Sequence, residues 1–387
     1  MGEKRAQHRI VIAGAGGIGR AAGLLLAEWG DVDAEIAIGD VVAGRAAEAA
    51  KWIREGATDG ARVESFAMPA EGADGRLDAV LRKADILLDC VPSHQAVRMA
   101  RLAREHGLHY ANLTENVEAS EAIAGFARGA ERGFVIQTGL APGFVNVLGH
   151  KLYLDFRRRH GADGGAGRIE SLRVRVGALP VRALPPHYYG FTWSTFGVAT
   201  EYLAESVVIR GGRRVKLPSL TEVAVLHLGD IELEEALTSG GAADLPAALE
   251  GKVEELDYKT LRHPGHWAWV RERIAEIPEG SDPVASLEQV MVRSIPRVEV
   301  DQVVIYAAVE GYDRDGERRR EDELLVVRPR RVGRHTLKAI QCTTAAGLAE
   351  SARMLLTGGR AGVILQSEID PETWLAGPFI RKGYYGE

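Results

Sequence analysis

The segment RIVIAGAGGIGRAAGLLLAEWG, residues 9–30, constrains the fold more than any other stretch of this chain. A short apolar run leads directly into Gly14-Ala15-Gly16-Gly17-Ile18-Gly19, and an Ala/Leu-rich helical pattern follows. A strand that closes on glycines and opens a helix needs a tight turn at Gly14, an unobstructed backbone at Gly16 and close helix–strand packing at Gly19. The free N–H groups and positive dipole end of that helix suit a pyrophosphate. The spacing therefore predicts a dinucleotide seat made by Gly14, Gly16, Gly17, Ile18 and Gly19.

The alternation continues through the first 145 residues. EIAIGD (35–40), DILLDC (85–90), HYANL (109–113) and FVIQ (134–137) read as buried strands, and helical patterns separate them. Continuous apolar strands alternating with helices predict a doubly wound, Rossmann-type parallel sheet covered on both faces. Asp40 ends the second strand, where a carboxylate takes ribose hydroxyls and repels a 2′-phosphate, so NAD is the expected cofactor. Loops at the C-terminal ends of such strands line the ligand crevice. Val91 and Pro92, Leu113, and Gly139, Ala141 and Pro142 are accordingly expected on the cofactor. His94 and Glu115, in the same loops, are candidates for proton transfer.

From about residue 168 the texture changes. RIESLRVRVGAL, ESVVIRGGRRVKLP and VAVLHLG read as longer, half-exposed strands, with Gly211-Gly212 as a hairpin signal. PRVEVDQVVIYAAVEGYD and EDELLVVRPRRV predict an antiparallel pair with its turn at RDGERRR. Arg157–Arg159 and Arg318–Arg320 read as solvated loop charges. TLKAIQCTTAAGLAESARMLLTGG (336–359) returns to a helical pattern, expected to pack on the first domain. With 387 residues, more than one core is expected. The division reads as 1–148 (dinucleotide-binding), 149–335 (an α+β substrate and oligomerisation domain) and 336–387 (the returning C-terminal segment).

Composition narrows the partners. Forty-eight Lys+Arg against 54 Asp+Glu leave a net charge of −6, which opposes nucleic acid as the main partner. No apolar run approaches the roughly 20 residues of a membrane span, and MGEKRAQHRI has no signal-peptide core. Two cysteines, Cys90 and Cys342, build no disulfide framework and fit a reducing cytoplasm. No metal site is expected: His106 and His109 form H-x-x-H across a helix end and a strand start, with no carboxylate at ligand spacing.

A second cluster lies far down the chain, where Lys259, Arg262, His263 and His266 follow Tyr258 within nine residues. The planar fork of Arg262 suits a carboxylate. His263 and His266 are candidate bases near neutral pH, and Glu115 is a candidate holder of a reacting ammonium. Tyr188, Tyr189 and Trp193 are candidates for a binding wall.

GAGGIG (14–19), CVPSH (90–94), HYANLTEN (109–116) and QTGLAPGF (137–144) together resemble the saccharopine dehydrogenase-like superfamily of NAD(P)-dependent amine and imine oxidoreductases. GALPVRALPPHYY (177–189), FTWSTFG (191–197), LPSLTEV (217–223) and LDYKTLRHPGH (256–266) resemble its lysine 6-dehydrogenase branch. The resemblance implies hydride transfer between a C–N carbon and the nicotinamide. It implies an amino-acid pocket lined by Trp193, Tyr258, Thr260 and Arg262, and a homo-oligomer. It implies oxidation of the ε-amino carbon of L-lysine by NAD, giving allysine and then piperideine-6-carboxylate. Two alternatives stand beside it. One is a saccharopine- or opine-type imine reductase joining an amine and a keto acid, which L-T-E-N (113–116) resembles. The other is a non-catalytic NAD-binding protein. Phe196 replaces an arginine of the saccharopine reductases, which favours a simple amino acid.

Overall fold

The computed structural model describes residues 7–161 and 168–387. These fall into two compact units. The first runs up to Phe144 and takes in Arg330–Leu337 and Gln341–Glu387. The second is Val145–Pro329 with Lys338–Ile340.

The first unit begins with β1 (Gln7–Ala13), α1 (Gly17–Trp29), β2 (Asp33–Asp40), α2 (Ala43–Gly56), β3 (Arg62–Ala67), α3 (Gly75–Leu81), β4 (Ile86–Asp89), α4 (Ala96–Glu105), β5 (His109–Asn112), α5 (Val117–Ala127) and β6 (Gly133–Val135). Ile10, Val11, Ile12 and Ala13 in β1 are all fully buried, which is why that strand reads as an unbroken apolar run. α1 turns Ala21, Ala22, Leu24 and Leu25 inward. A methyl on its Gly23 would meet Ile53 of α2 at 2.5 Å, so the glycine sets how closely the two helices pack. α5 starts where it does because the Asn116 side chain accepts from Ala119 N at 2.8 Å, a helix cap.

The second unit carries α6 (Phe144–His160, whose first residue belongs to the first unit), β7 (Arg168–Pro180), α7 (Thr195–Leu203), β8 (Ser206–Arg210), β9 (Arg213–Leu217), β10 (Ala224–Leu228), β11 (Ile231–Leu237), α8 (Leu245–Leu249), β12 (Glu255–Arg262), α9 (His266–Ala275), α10 (Pro283–Ser294), β13 (Asp301–Tyr312) and β14 (Arg318–Val327). Its strands form one eight-stranded mixed sheet in the order β10-β11-β12-β7-β13-β14, with β8 on β12 and β9 on β8. β12 and β7 run parallel. Tyr189, Tyr202, Trp267, Trp269 and Leu287 form one of its buried cores. Gly211 and Gly212, at φ +57° and +76°, make the β8–β9 hairpin, as the sequence predicts.

The chain then returns to the first unit with the hairpin β15 (Arg330–Val332) and β16 (His335–Leu337), α11 (Ala339–Gly358, from Gln341 onward) and β17 (Gly362–Ile364). The parallel sheet has seven strands in the order β17-β6-β5-β4-β1-β2-β3. The direction of winding reverses between β1 and β4, where such sheets bind ligands.

Three local readings change. β3 and β17 are strands that the apolar pattern does not announce: β3 has Glu64 and Ser65 at its centre, and β17 is only three residues long. Arg318–Arg320 lie on β14 and not in a loop. Each is exposed and ion-paired, Arg318 to Glu310 at 2.7 Å, Arg319 to Asp313 at 2.7 Å and Arg320 to Asp322 at 3.3 Å. Arg157–Arg159 close α6, where Arg158 meets Asp155 at 2.6 Å and Arg159 meets Glu321 at 2.9 Å.

Candidate functional site

The glycines after β1 divide into two kinds. Gly14 has φ +99°, and a methyl there would lie 2.5 Å from Cys90 O; at Gly19 it would lie 1.9 Å from Gly14 O. These two let the chain turn and pack. Gly16 has φ −72° and nothing within 4 Å of a methyl, so its missing side chain serves something other than the fold. Ile18, inside the first turn of α1, is half-buried. A methyl on Gly17 would meet Gln341 Nε2 of α11 at 3.0 Å. An open glycine between two closed ones is a cradle that fits a pyrophosphate.

Asp40 is buried at the end of β2. It accepts from Ala15 N at 3.0 Å and Val42 N at 2.9 Å, and the exposed Arg45 lies 3.5 Å away. Val41 and Val42 follow it and are half-exposed. They are a bare apolar surface beside the carboxylate that sequence reading passed over.

Beneath the loops runs a buried polar network. Tyr110 Oη donates to Asp89 Oδ2 at 2.7 Å, and Val91 N donates to Asp89 Oδ1 at 3.0 Å. Burial pushes the Asp89 carboxyl up to about 6 against these two bonds. Asn112 donates to Tyr110 Oη at 3.2 Å and accepts from Gln137 N at 2.8 Å. Val91 is half-buried, and Pro92 and His94 are exposed, on the loop that this network supports. Leu113 and Glu115 are half-buried beyond β5.

The loop after β6 closes on itself, Gly139 N to Pro142 O and Phe144 N to Gly139 O, both at 2.9 Å. The Ala141–Pro142 peptide is cis. A methyl on Gly347 of α11 would lie 2.4 Å from Gly139 O, so the returning helix backs this loop.

The two histidines of H-x-x-H serve separate partners. His106 meets Asp78 at 3.2 Å, and His109 Nδ1 accepts from Gly133 N at 3.0 Å.

In the second unit Tyr258, Thr260 and Arg262 alternate along β12 and are all buried. Arg262, 2% exposed, donates from Nε to Tyr202 Oη at 2.7 Å and from Nη1 to Leu261 O at 2.9 Å. Its guanidinium lies 4.7 Å from the Tyr189 ring centre, 5.5 Å from Tyr202 and 5.6 Å from Trp267, an aromatic cage for a cation. Burial opposes its charge, but Tyr202, Tyr189 and Glu201 outweigh that and hold its pKa above the ordinary arginine value.

Tyr202 Oη lies 3.1 Å from His266 Nε2, and His266 Nδ1 lies 2.6 Å from His187 O. Only one proton arrangement satisfies every partner. Arg262 donates to Tyr202, Tyr202 donates to His266 Nε2, and His266 donates from Nδ1 to the carbonyl. Burial, followed by the Arg262 charge, lowers the His266 pKa to about 3. His266 is thus a neutral positioning group with both nitrogens engaged.

His263 Nε2 bonds Pro180 O at 2.9 Å, and burial lowers its pKa too. Tyr188, at φ +49°, and Trp193 are half-buried. The structure brings Tyr258, Thr260, Arg262 and His266 onto adjoining elements of one unit. Tyr202 and Glu201 of α7, which sequence reading missed, join them. Both lie in the helical stretch TFGVATEYL, where Tyr202 reads as core and Glu201 as a polar helix residue.

A family model described as the saccharopine dehydrogenase NADP binding domain matches residues 10–135. The saccharopine dehydrogenase C-terminal domain model matches residues 139–382. The chain belongs to the saccharopine dehydrogenase family. Saccharopine dehydrogenase (L-Glu forming) from Saccharomyces cerevisiae superposes with a TM-score of 0.73 at 13% identity, covering 97% of this chain and 96% of that one. The homospermidine synthase of Legionella pneumophila, solved with NAD, gives 0.67 at 14%, covering 99% and 91%. At these identities the likeness establishes the saccharopine dehydrogenase fold. The first unit is therefore an NAD(P)-binding domain of this family. Among the described residues no helix is long and apolar enough to cross a membrane.

Proposed function

We propose that this saccharopine dehydrogenase-family chain is an NAD-dependent dehydrogenase that oxidises the ε-amino carbon of L-lysine to allysine, which cyclises to piperideine-6-carboxylate. The observation that carries the reading is Arg262. Tyr202 and Leu261 O fix its guanidinium in an aromatic cage, and Nη2 is left for a carboxylate. A buried cation held in this way, in a chain whose other unit cradles a dinucleotide, suits an anionic amino acid as substrate.

A bound nicotinamide would supply the hydride acceptor for the carbon that bears nitrogen. This chain's residues do the rest. Gly14, Gly16, Gly17, Ile18 and Gly19 would hold the pyrophosphate and Asp40 the ribose hydroxyls, with the exposed Val41 and Val42 beside it. Asp40 favours NAD because a 2′-phosphate would be repelled there. Val91, Pro92, Leu113, Gly139, Ala141 and Pro142 shape the loops on the nicotinamide side. Tyr188, Trp193, Tyr258 and Thr260 line the substrate.

The substrate ammonium must lose a proton before its carbon can release hydride. His266 has no free nitrogen for this, and His263 is tied to Pro180 O. We assign that proton to His94 or Glu115, on the loops after β4 and β5. Loss of hydride leaves an iminium, and water then releases ammonia and the aldehyde.

NADH formation at alkaline pH with lysine, ornithine, saccharopine and 1,5-diaminopentane tests the reading. Turnover with lysine and NAD is expected. Turnover that requires an amine together with a keto acid in the NADH-consuming direction would replace it with an imine reductase.

A further inference from the structure

We infer that Glu201 and Arg262 together form a clamp for a zwitterionic α-amino-acid head group, with the carboxylate on Arg262 and the α-ammonium on Glu201. The inference rests on the amino-acid reading above and extends it to the substrate class: free α-amino acids, and not diamines.

The argument starts from two buried, opposite charges that do not meet. Glu201 is 8% exposed. Its Oε1 accepts from Thr260 Oγ1, which in turn lies 2.7 Å from Thr238 Oγ1; Oε2 takes no hydrogen bond from the described residues. Arg262 uses Nε and Nη1 on Tyr202 and Leu261, and Nη2 makes no hydrogen bond with the described residues. The Glu201 charge acts on Arg262, Tyr189, Tyr202 and Tyr258 alike, so it lies among the groups that cage the cation. No ion pair joins it to Arg262. In a purely structural pair the two ions would close on each other, because an unpaired buried charge is costly. Ions kept near but apart suit a ligand that carries both complementary charges a few bonds from each other.

Two further polar atoms point the same way. Tyr189 Oη and Thr192 Oγ1 are sealed from solvent and adjoin each other, and neither makes a well-formed hydrogen bond. Tyr189 is 2% exposed, and its ring faces the Arg262 guanidinium at 4.7 Å. Buried hydroxyls without a well-formed bond are uncommon, and a bound ligand is one way to complete them. A carboxylate in the Arg262 fork would lie beside the Tyr189 ring.

The clamp assigns the reacting nitrogen to the far end of the side chain, since the α-nitrogen is held as an ammonium and cannot give up hydride from its carbon. A diamine offers Arg262 no anion and leaves the caged cation unpaired.

Binding to the full chain, with and without NAD, separates the possibilities by calorimetry. L-Norleucine has the head group and no distal amine. Hexanoate lacks the α-ammonium, and pentylamine lacks the carboxylate. The clamp predicts that norleucine binds at least tenfold tighter than either fragment. Glu201→Gln should weaken norleucine at least tenfold and leave hexanoate unchanged, whereas Arg262→Gln should weaken both. Unchanged NAD affinity and melting temperature certify that each variant is folded, and the wild-type ligand series needs no variant. Pentylamine binding as tight as norleucine, or no norleucine binding, overturns the clamp. Norleucine binding without NADH formation from any amino acid keeps the clamp and removes the dehydrogenase reading. NADH formation from 1,5-diaminopentane as fast as from lysine keeps the dehydrogenase and overturns the clamp.

Discussion

Replacing each of three glycines with alanine separates what the fold needs from what the ligand needs. Gly19→Ala drives a methyl to 1.9 Å from Gly14 O. The methyl is rigidly attached to the helix and the oxygen belongs to backbone, so α1 must move, at the upper end of the ~1–3 kcal/mol that overpacking costs. Gly14→Ala meets Cys90 O at 2.5 Å and must also hold φ +99°, a strained conformation for alanine. At about 2–4 °C per kcal/mol for a unit of this size, either variant lowers melting by several degrees. Gly16→Ala meets nothing within 4 Å at φ −72°. Its weaker helix capping costs about 0.5–1 kcal/mol, and the reduced freedom of the unfolded chain returns about 0.4–1 kcal/mol. Its melting temperature should therefore match wild type, while its methyl occupies the pyrophosphate path and weakens NAD binding at least tenfold, about 1.4 kcal/mol. Thermal unfolding of the ligand-free chain and NAD calorimetry read the two effects separately. Unaltered NAD affinity in Gly16→Ala, or melting as low as that of Gly19→Ala, would refute the division.

Three other outcomes follow from the buried groups. Asp40→Ser should lower the preference for NAD over NADP at least tenfold in kcat/KM, because the carboxylate that opposes the 2′-phosphate is gone; an unchanged ratio contradicts the role given to Asp40. Tyr110→Phe takes a donor from Asp89, whose folded pKa of about 6 lies above its ordinary value. The charged form is the penalised one, so the loss should be about 1–3 kcal/mol at pH 8 and smaller at pH 5, as read by urea unfolding. His266 titrates near 3 when folded and near 6.5 when unfolded. The unfolded chain binds the extra proton between these values, so stability falls as pH drops through 6.5, by up to about 1.4 kcal/mol per pH unit. His266→Gln should flatten that part of the pH–stability curve.

How much of this was legible depends on whether local pattern or tertiary placement decided it. β1, β4 and the C-terminal half of β2 announce themselves because both of their faces are buried and the chain reads as continuous apolar runs, whereas β5, equally buried, carries His109 and Asn112. β3 does not, because a sheet-edge strand keeps polar residues such as Glu64 and Ser65. The glycine cradle is visible because turn and approach act within six residues. The contrast between Gly14, Gly16 and Gly19 needs coordinates, since a methyl's neighbours come from Cys90, 76 positions along, and from Gly14 itself. Arg262 and His266 stand out as a charge cluster. Their division of labour, a caged cation and a neutral relay, is invisible until α7 brings Tyr202 and Glu201 onto β12. Glu201 carries no local signal at all, because a glutamate in a helix is ordinarily a solvated residue.

The central claim is that the hydride leaves the distal, nitrogen-bearing carbon of an α-amino acid. Lysine deuterated at the ε-carbon, incubated with the protein and NAD, tests it by mass spectrometry of the reduced cofactor. The account predicts deuterated NADH from the ε-labelled substrate and unlabelled NADH from lysine deuterated at the α-carbon. Deuterium transfer from the α-carbon would contradict it.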